Sequence, residues 1–106
     1  MATPYQRGAA FEHRVKREWE LAGWHVWRTP GSKTPCDLIA IRDNGGPSVS
    51  LIQCKLHGEI SRKEWADLEV MASAVGARAI LASMVKGSTS GLIHYRDMLA
   101  RRDMIL

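Results

Sequence analysis

Cysteine is scarce in this chain: Cys36 and Cys54 are the only two among 106 residues. They are too few for a disulfide scaffold, and neither has metal-site spacing with the four histidines. Both read as buried reduced thiols. In the strand register argued below they would face each other on one side of a hairpin, where oxidation could twist the strands. No apolar run approaches the length needed to span a bilayer. The opening residues Met1-Ala2-Thr3-Pro4-Tyr5 lack a basic stretch followed by an apolar core, so no membrane association and a cytoplasmic location are expected. Internal repeats, low-complexity tracts and linkers are also missing, which makes one domain over residues 1–106, with one modest core, the expectation. What is present is globular in character: 45% hydrophobic residues, four Trp and 25% charged residues. The net charge of +4 and a pI near 9.4 favour a polyanionic partner without specifying one.

Thr3-Pro4-Tyr5-Gln6 combines an N-cap residue, proline at the first helical position and glutamine at the capping-box position, so a helix is expected from residue 4 to Gly23. Phe11, Val15, Trp19 and Ala22 form its apolar stripe, with Glu12 on the flank. Residues 24–29 read as a first strand, and 30–35 as a loop. Strands at 36–42 and 48–55 follow, apolar on both faces as expected of strands covered by helices. Ser61-Arg62-Lys63-Glu64 is a capping box that opens a second helix, with Trp65, Leu68, Met71, Ala72 and Val75 at helical spacing up to Gly76. Residues 78–85 read as a fourth strand, parallel to the third because a helical crossover separates them. A flexible turn at 86–91, a short strand at 92–95 and a helical turn or two from Arg96 complete the expectation. The predicted fold is α/β, a central mixed five-stranded sheet flanked by helices.

The pattern Asp37-Leu38-Ile39-Ala40-Ile41, a Gly-Gly-Pro turn, then Leu51-Ile52-Gln53-Cys54-Lys55 places chemistry at one end of a hairpin. A five-residue loop at 43–47 sets Arg42 opposite Ser48, which carries Ile39 opposite Leu51 and Asp37 opposite Gln53. Gln53 and Lys55, two residues apart, share a face. A carboxylate, an amide oxygen and an ammonium converging there suit a hard divalent cation beside a phosphate.

With Glu12 on the preceding helix, this cluster resembles the active site of the PD-(D/E)xK nucleases, and among them the Holliday junction resolvases of archaea and their phage relatives. The resemblance runs from Arg7-Gly8-x-x-Phe11-Glu12 through Gly23-Trp24-x-Val26-x-Arg28 and Gly31-Ser32 to Asp37-Leu38-Ile39-Ala40 and Gln53-Cys54-Lys55. It implies a restriction-endonuclease-like fold and a metal-dependent DNA endonuclease, a homodimer that resolves four-way junctions by paired cuts in a prokaryotic cell or phage-infected host. Mg²⁺ is the expected cofactor, with Mn²⁺ as substitute, and branched double-stranded DNA the partner. The catalytic set would be Glu12, Asp37, Gln53 and Lys55, with Asp37, Gln53, Glu12 and the Cys54 carbonyl as metal donors. Arg7, Arg28, Ser32 and Lys33 would contact the DNA backbone, the last two from a loop whose hydroxyls and glycine suit a phosphate.

Three positions depart from the family pattern. Gln53 stands where most members carry glutamate, Cys36 where proline is usual, and His13 where arginine commonly follows the glutamate. A neutral ligand at position 53 lowers the charge of the site. That makes a weak or inactive junction-binding module one alternative; another structure-selective or nicking nuclease of the same fold is a second, and a structural protein with no nucleic-acid partner a third. The remaining histidines, His25, His57 and His94, have no spacing for a zinc site or a catalytic triad. Met71, Met84, Met98 and Met104 read as core or interface fillers, and Trp65 as either core or a dimer contact. Small and methionine side chains on the second helix and fourth strand are candidate dimer surfaces.

Overall fold

Two capping boxes set where the helices begin. In the computed structural model, which describes residues 3–29, 34–85 and 91–106, the Thr3 hydroxyl accepts the Gln6 N–H at 3.1 Å and the Gln6 side chain accepts the Thr3 N–H at 2.8 Å. Helix α1 then runs over Pro4–Leu21. Ser61 and Glu64 make the same reciprocal pair ahead of α2, Arg62–Val75. Gly76 ends α2 in the left-handed conformation, φ 67°, that a residue with a side chain resists.

The strands are β1 (His25–Arg28), β2 (Leu38–Asp43), β3 (Pro47–Cys54), β4 (Arg78–Met84), β5 (Ile93–Asp97) and β6 (Arg102–Met104). They form one sheet in chain order, antiparallel throughout except for the parallel β3–β4 pair that brackets α2. The expected α/β class therefore stands, with a sixth strand in place of the predicted C-terminal helical turn. Arg96 and Asp97 belong to β5, and the chain turns back at Arg101, φ 56°, to pair Asp97 with Arg102. The hairpin register matches the sequence reading at Arg42–Ser48 and Ile39–Leu51. Its loop is three residues long, because Asp43 pairs with Pro47.

Alternation along the strands separates two apolar layers, one under each helix. Phe11, Val15 and Trp19 of α1 pack with Leu38, Ala40, Ile52, Ile80 and Tyr95. On the other face Leu68 and Ala72 of α2 pack with Cys36, Leu51 and Ala79. Trp19 is fully buried, edge-on to Trp24 at 4.9 Å and to Tyr95 at 5.8 Å between centroids. The methionines fill both layers, Met84 and Met104 under α1 and Met71 and Met98 under α2. Ala22 and Val75, predicted to be buried, are exposed at the helix ends. Strand β4 is buried along almost its whole length, and Val85, which follows it, is exposed.

The cysteines do not face each other. Cys36 lies in the α2 layer, whereas Cys54 packs against the α1 layer. Cys36 precedes the regular part of β2, and from there to Ile39, on the same α2 side, the chain departs from strict two-residue alternation. The expected opposition assumed a strand regular from residue 36. Burial pushes the Cys36 thiol up to about 11 and raises that of Cys54 further, which leaves both protonated and unreactive. No helix among the described residues is long and apolar enough to cross a membrane.

Candidate functional site

The end of β1, the start of β2 and the end of β3 lie side by side, which brings Arg28, Asp37 and Gln53 to one end of these strands. Asp37 immediately precedes β2: its N–H donates to the Ile52 carbonyl at 2.8 Å, and its carboxylate oxygen Oδ2 accepts the Cys54 N–H at 2.8 Å. Each strand thereby fixes the other at the point where the regular ladder stops.

Asp37 borders a groove of about 530 Å³ together with Tyr5, Gly8, Ala9 and Glu12 of α1 and Arg28 and Thr29 at the end of β1. The glycine and alanine leave the helix side of the groove open: a Cβ at Gly8 would meet nothing within 4 Å. Burial raises the Asp37 carboxyl above the ordinary carboxylate range. The Cys54 N–H works against that, the Glu12 charge adds to it, and Lys55 opposes it. Glu12 itself accepts from Arg28 Nη2 at 2.8 Å, and Arg28 Nη1 reaches His13 Nε2 at 3.3 Å. Arg28, read in sequence as a backbone contact for DNA, is thus engaged with Glu12 and the departing residue His13.

Gln53 and Lys55 do share a face, and that face looks toward α2. The Gln53 amide donates from Nε2 to Glu64 Oε2 at 3.3 Å, and Lys55 Nζ forms an ion pair with the same oxygen. The predicted single-faced cluster is therefore split. Asp37 lies with Glu12 and Arg28 under α1, Gln53 and Lys55 lie with Glu64 at the start of α2, and the Asp37–Cys54 bond joins the halves across the strand end. The sequence accounts for Glu64 only as a cap. Its position three residues after Ser61 was visible, but its reach to β3 depends on how α2 docks, for which the sequence carries no signal. Lys55 holds the Glu64 carboxyl below the usual range, helped by the Ser61 contacts against partial desolvation.

Among the described residues, no three His, Cys, Asp or Glu side chains gather as a ready-made metal cage. Arg7 lines a separate groove with Ala10, Phe11, Arg14, Leu56 and Met84, away from Glu12. Ser32 and Lys33 lie outside the described residues. Of the loop hydroxyls, Thr29 donates to the Cys36 carbonyl at 2.6 Å and Thr34 to the same oxygen at 2.9 Å. Those bonds tie Thr29 and Thr34 to the residue before Asp37, and neither hydroxyl is free for a phosphate.

Residues 3–106 match a family model described as archaeal Holliday junction resolvase (hjc). No curated protein matches the chain by sequence. Among solved structures it is similar to that of Archaeoglobus fulgidus Hjc, described as a Holliday junction resolvase from an archaeal hyperthermophile. The TM-score is 0.69 and the identity 23%, over 91% of this chain and 84% of the other. That similarity carries the fold.

Proposed function

The chain belongs to the archaeal Holliday junction resolvase family, and from that premise we propose that it is a metal-dependent endonuclease that resolves four-way DNA junctions by paired phosphodiester hydrolysis. The observation that carries the reading is the placement of Asp37, a half-buried carboxylate clamped by the Cys54 N–H and lining one groove with Glu12. Two carboxylates held together at the cost of a raised carboxyl fit a cation, which relieves the burial and the repulsion together. The donor set is all oxygen, which favours Mg²⁺, with Mn²⁺ as substitute.

The ion would take Asp37 and Glu12 from the α1 side of the strand end, and the Cys54 carbonyl and the Gln53 amide oxygen from β3, the two halves joined by the Asp37–Cys54 bond. When bound, the ion would stabilise charge on the phosphate and make the attacking water a better nucleophile. The chain's own groups do the rest. Glu12, oriented by Arg28, accepts a hydrogen bond from the water that approaches the phosphorus. Lys55 places a positive charge where negative charge grows on the phosphate oxygens. Arg28, Arg7, Ser32 and Lys33 are assigned to the DNA backbone, which they hold in register without reading sequence.

All of this falls within one nuclease domain over residues 1–106. A junction needs two matched cuts, and a two-fold dimer supplies two sites in the required relation. The test is cleavage of a labelled four-way junction with and without Mg²⁺ or Mn²⁺, beside flap and linear duplexes. Symmetric, metal-dependent nicks in the junction alone, abolished by Asp37→Asn, are the expected result. Tight junction binding without nicks would replace the enzyme by a binding module, and equal cutting of linear duplex would replace the resolvase by another nuclease of the fold.

A further inference from the structure

Helix α2 brings to the site a carboxylate that strand β3 does not supply. The two oxygens of Glu64 divide between helix and strand. Oε1 accepts the Ser61 N–H at 3.3 Å, and Oε2 takes the Gln53 amide at 3.3 Å and the Lys55 ammonium. The capping box thus aims the second oxygen at β3. An amide donates only through its nitrogen, so the contact also fixes the rotation of Gln53: Nε2 meets Glu64, and Oε1, its one cation-binding atom, is turned elsewhere. The opposite rotation would set two acceptor oxygens against each other at 3.3 Å with no proton between them.

Gln53 and Glu64 therefore form a chemically matched pair. A glutamate at position 53 would meet a second carboxylate in the same place, whereas glutamine converts that repulsion into a hydrogen bond. We propose that Glu64 carries the negative charge that a glutamate at position 53 would have carried, and that Gln53 and Glu64 act as one unit, the carboxylate holding the amide nitrogen and leaving the amide oxygen to take the cation. Glu64 is in this sense a positioning residue with a second task. It orients Gln53 and Lys55, and it restores the charge that the neutral amide removes. The proposal rests on the reading that Asp37 and Gln53 hold a divalent cation.

The experiment is calorimetric titration of the DNA-free protein with Mn²⁺, comparing wild type, Asp37→Asn, Glu64→Gln and the exchange variant Gln53→Glu/Glu64→Gln. Glutamine at position 64 preserves the capping box, and thermal melts of each variant show whether it is folded. Removing a unit charge within one side chain's length of the ion is expected to weaken Mn²⁺ binding about tenfold or more. The exchange variant, which puts the charge back on the strand and the amide on the helix, is expected to restore affinity to near the wild-type value, and junction cleavage should follow the same order. Unchanged Mn²⁺ affinity in folded Glu64→Gln would show that Glu64 only caps α2 and pins Lys55, which overturns the proposal. So would an exchange variant that stays as weak as Glu64→Gln. If the wild type binds no Mn²⁺, or binds it equally after Asp37→Asn, the metal reading fails and this proposal fails with it, a result distinct from loss at Glu64 alone.

Discussion

At Asp37 two influences pull against each other. Burial favours the neutral acid and the Cys54 N–H favours the carboxylate, with burial the larger. A carboxyl raised in the folded state is destabilising once it ionises. The penalty is absent at pH values below the ordinary carboxylate range, where folded and unfolded chains are both protonated, and it develops as pH rises through the raised folded value. Asp37→Asn removes the charge and keeps an oxygen for the Cys54 N–H. It is therefore expected to raise the melting temperature by a few degrees at pH 7 while abolishing cleavage. The gain over wild type should shrink on acidification to pH 3, as melts of the two proteins across that range would report. A melting temperature below wild type at pH 7 would mean that the clamp needs the charge. Asp37 and Lys55 could be picked out in the sequence because the short motifs around them, each weak alone, are informative in their combined order and spacing. Glu64 could not, because a glutamate three residues after a serine is fully accounted for as a cap. Its second partner comes from 11 residues upstream, through the docking of α2 on β3.

Among the elements, α2 couples stability to the site through its first turn. Ser61→Ala removes the hydroxyl that accepts the Glu64 N–H and is expected to cost about 1 kcal/mol, read by chemical denaturation. Because the same turn aims Glu64, that variant should also lose activity under conditions where it remains folded. Gly76→Ala, at the other end of the helix, is a control. The added methyl group meets nothing within 4 Å, so its cost is the left-handed backbone alone, again about 1 kcal/mol, with cleavage unaffected. The helix starts were legible because both caps are local patterns, and the β2–β3 register was legible because Gly45-Gly46-Pro47 fixes where that hairpin turns. The C-terminal strand was not. Nothing between Arg96 and Leu106 distinguishes a helical turn from a short edge strand until Arg101 turns the chain back against β5. The phase change at the start of β2 was equally silent, because alternation predicts sides only within a regular strand.

For the whole molecule, a net charge of +4 leads to a salt-dependent partner. If four phosphates are neutralised, junction affinity should fall about a hundredfold between 50 and 200 mM salt. A binding isotherm flat across that range would argue against a nucleic-acid partner altogether. Sedimentation of the DNA-free protein should give a dimer, and Val70 and Val75 on α2, with Val85 just after β4, are exposed large apolar side chains on the elements expected to form the interface.

The sheet is laid down in chain order, every strand beside its neighbour in sequence. Most ladders therefore close over short stretches of chain, and only the β3–β4 pair waits for a helix to form between its strands. Loop-closure entropy is correspondingly small, which places the chain among fast-folding mixed α/β domains. It can also be assembled as it is synthesised: Glu12, Asp37, Gln53, Lys55 and Glu64 have all been added before β4 begins. The nascent chain therefore carries all of these groups before β4, the strand that pins β3, is made, and β4 to β6 support the site without adding any of these groups to it.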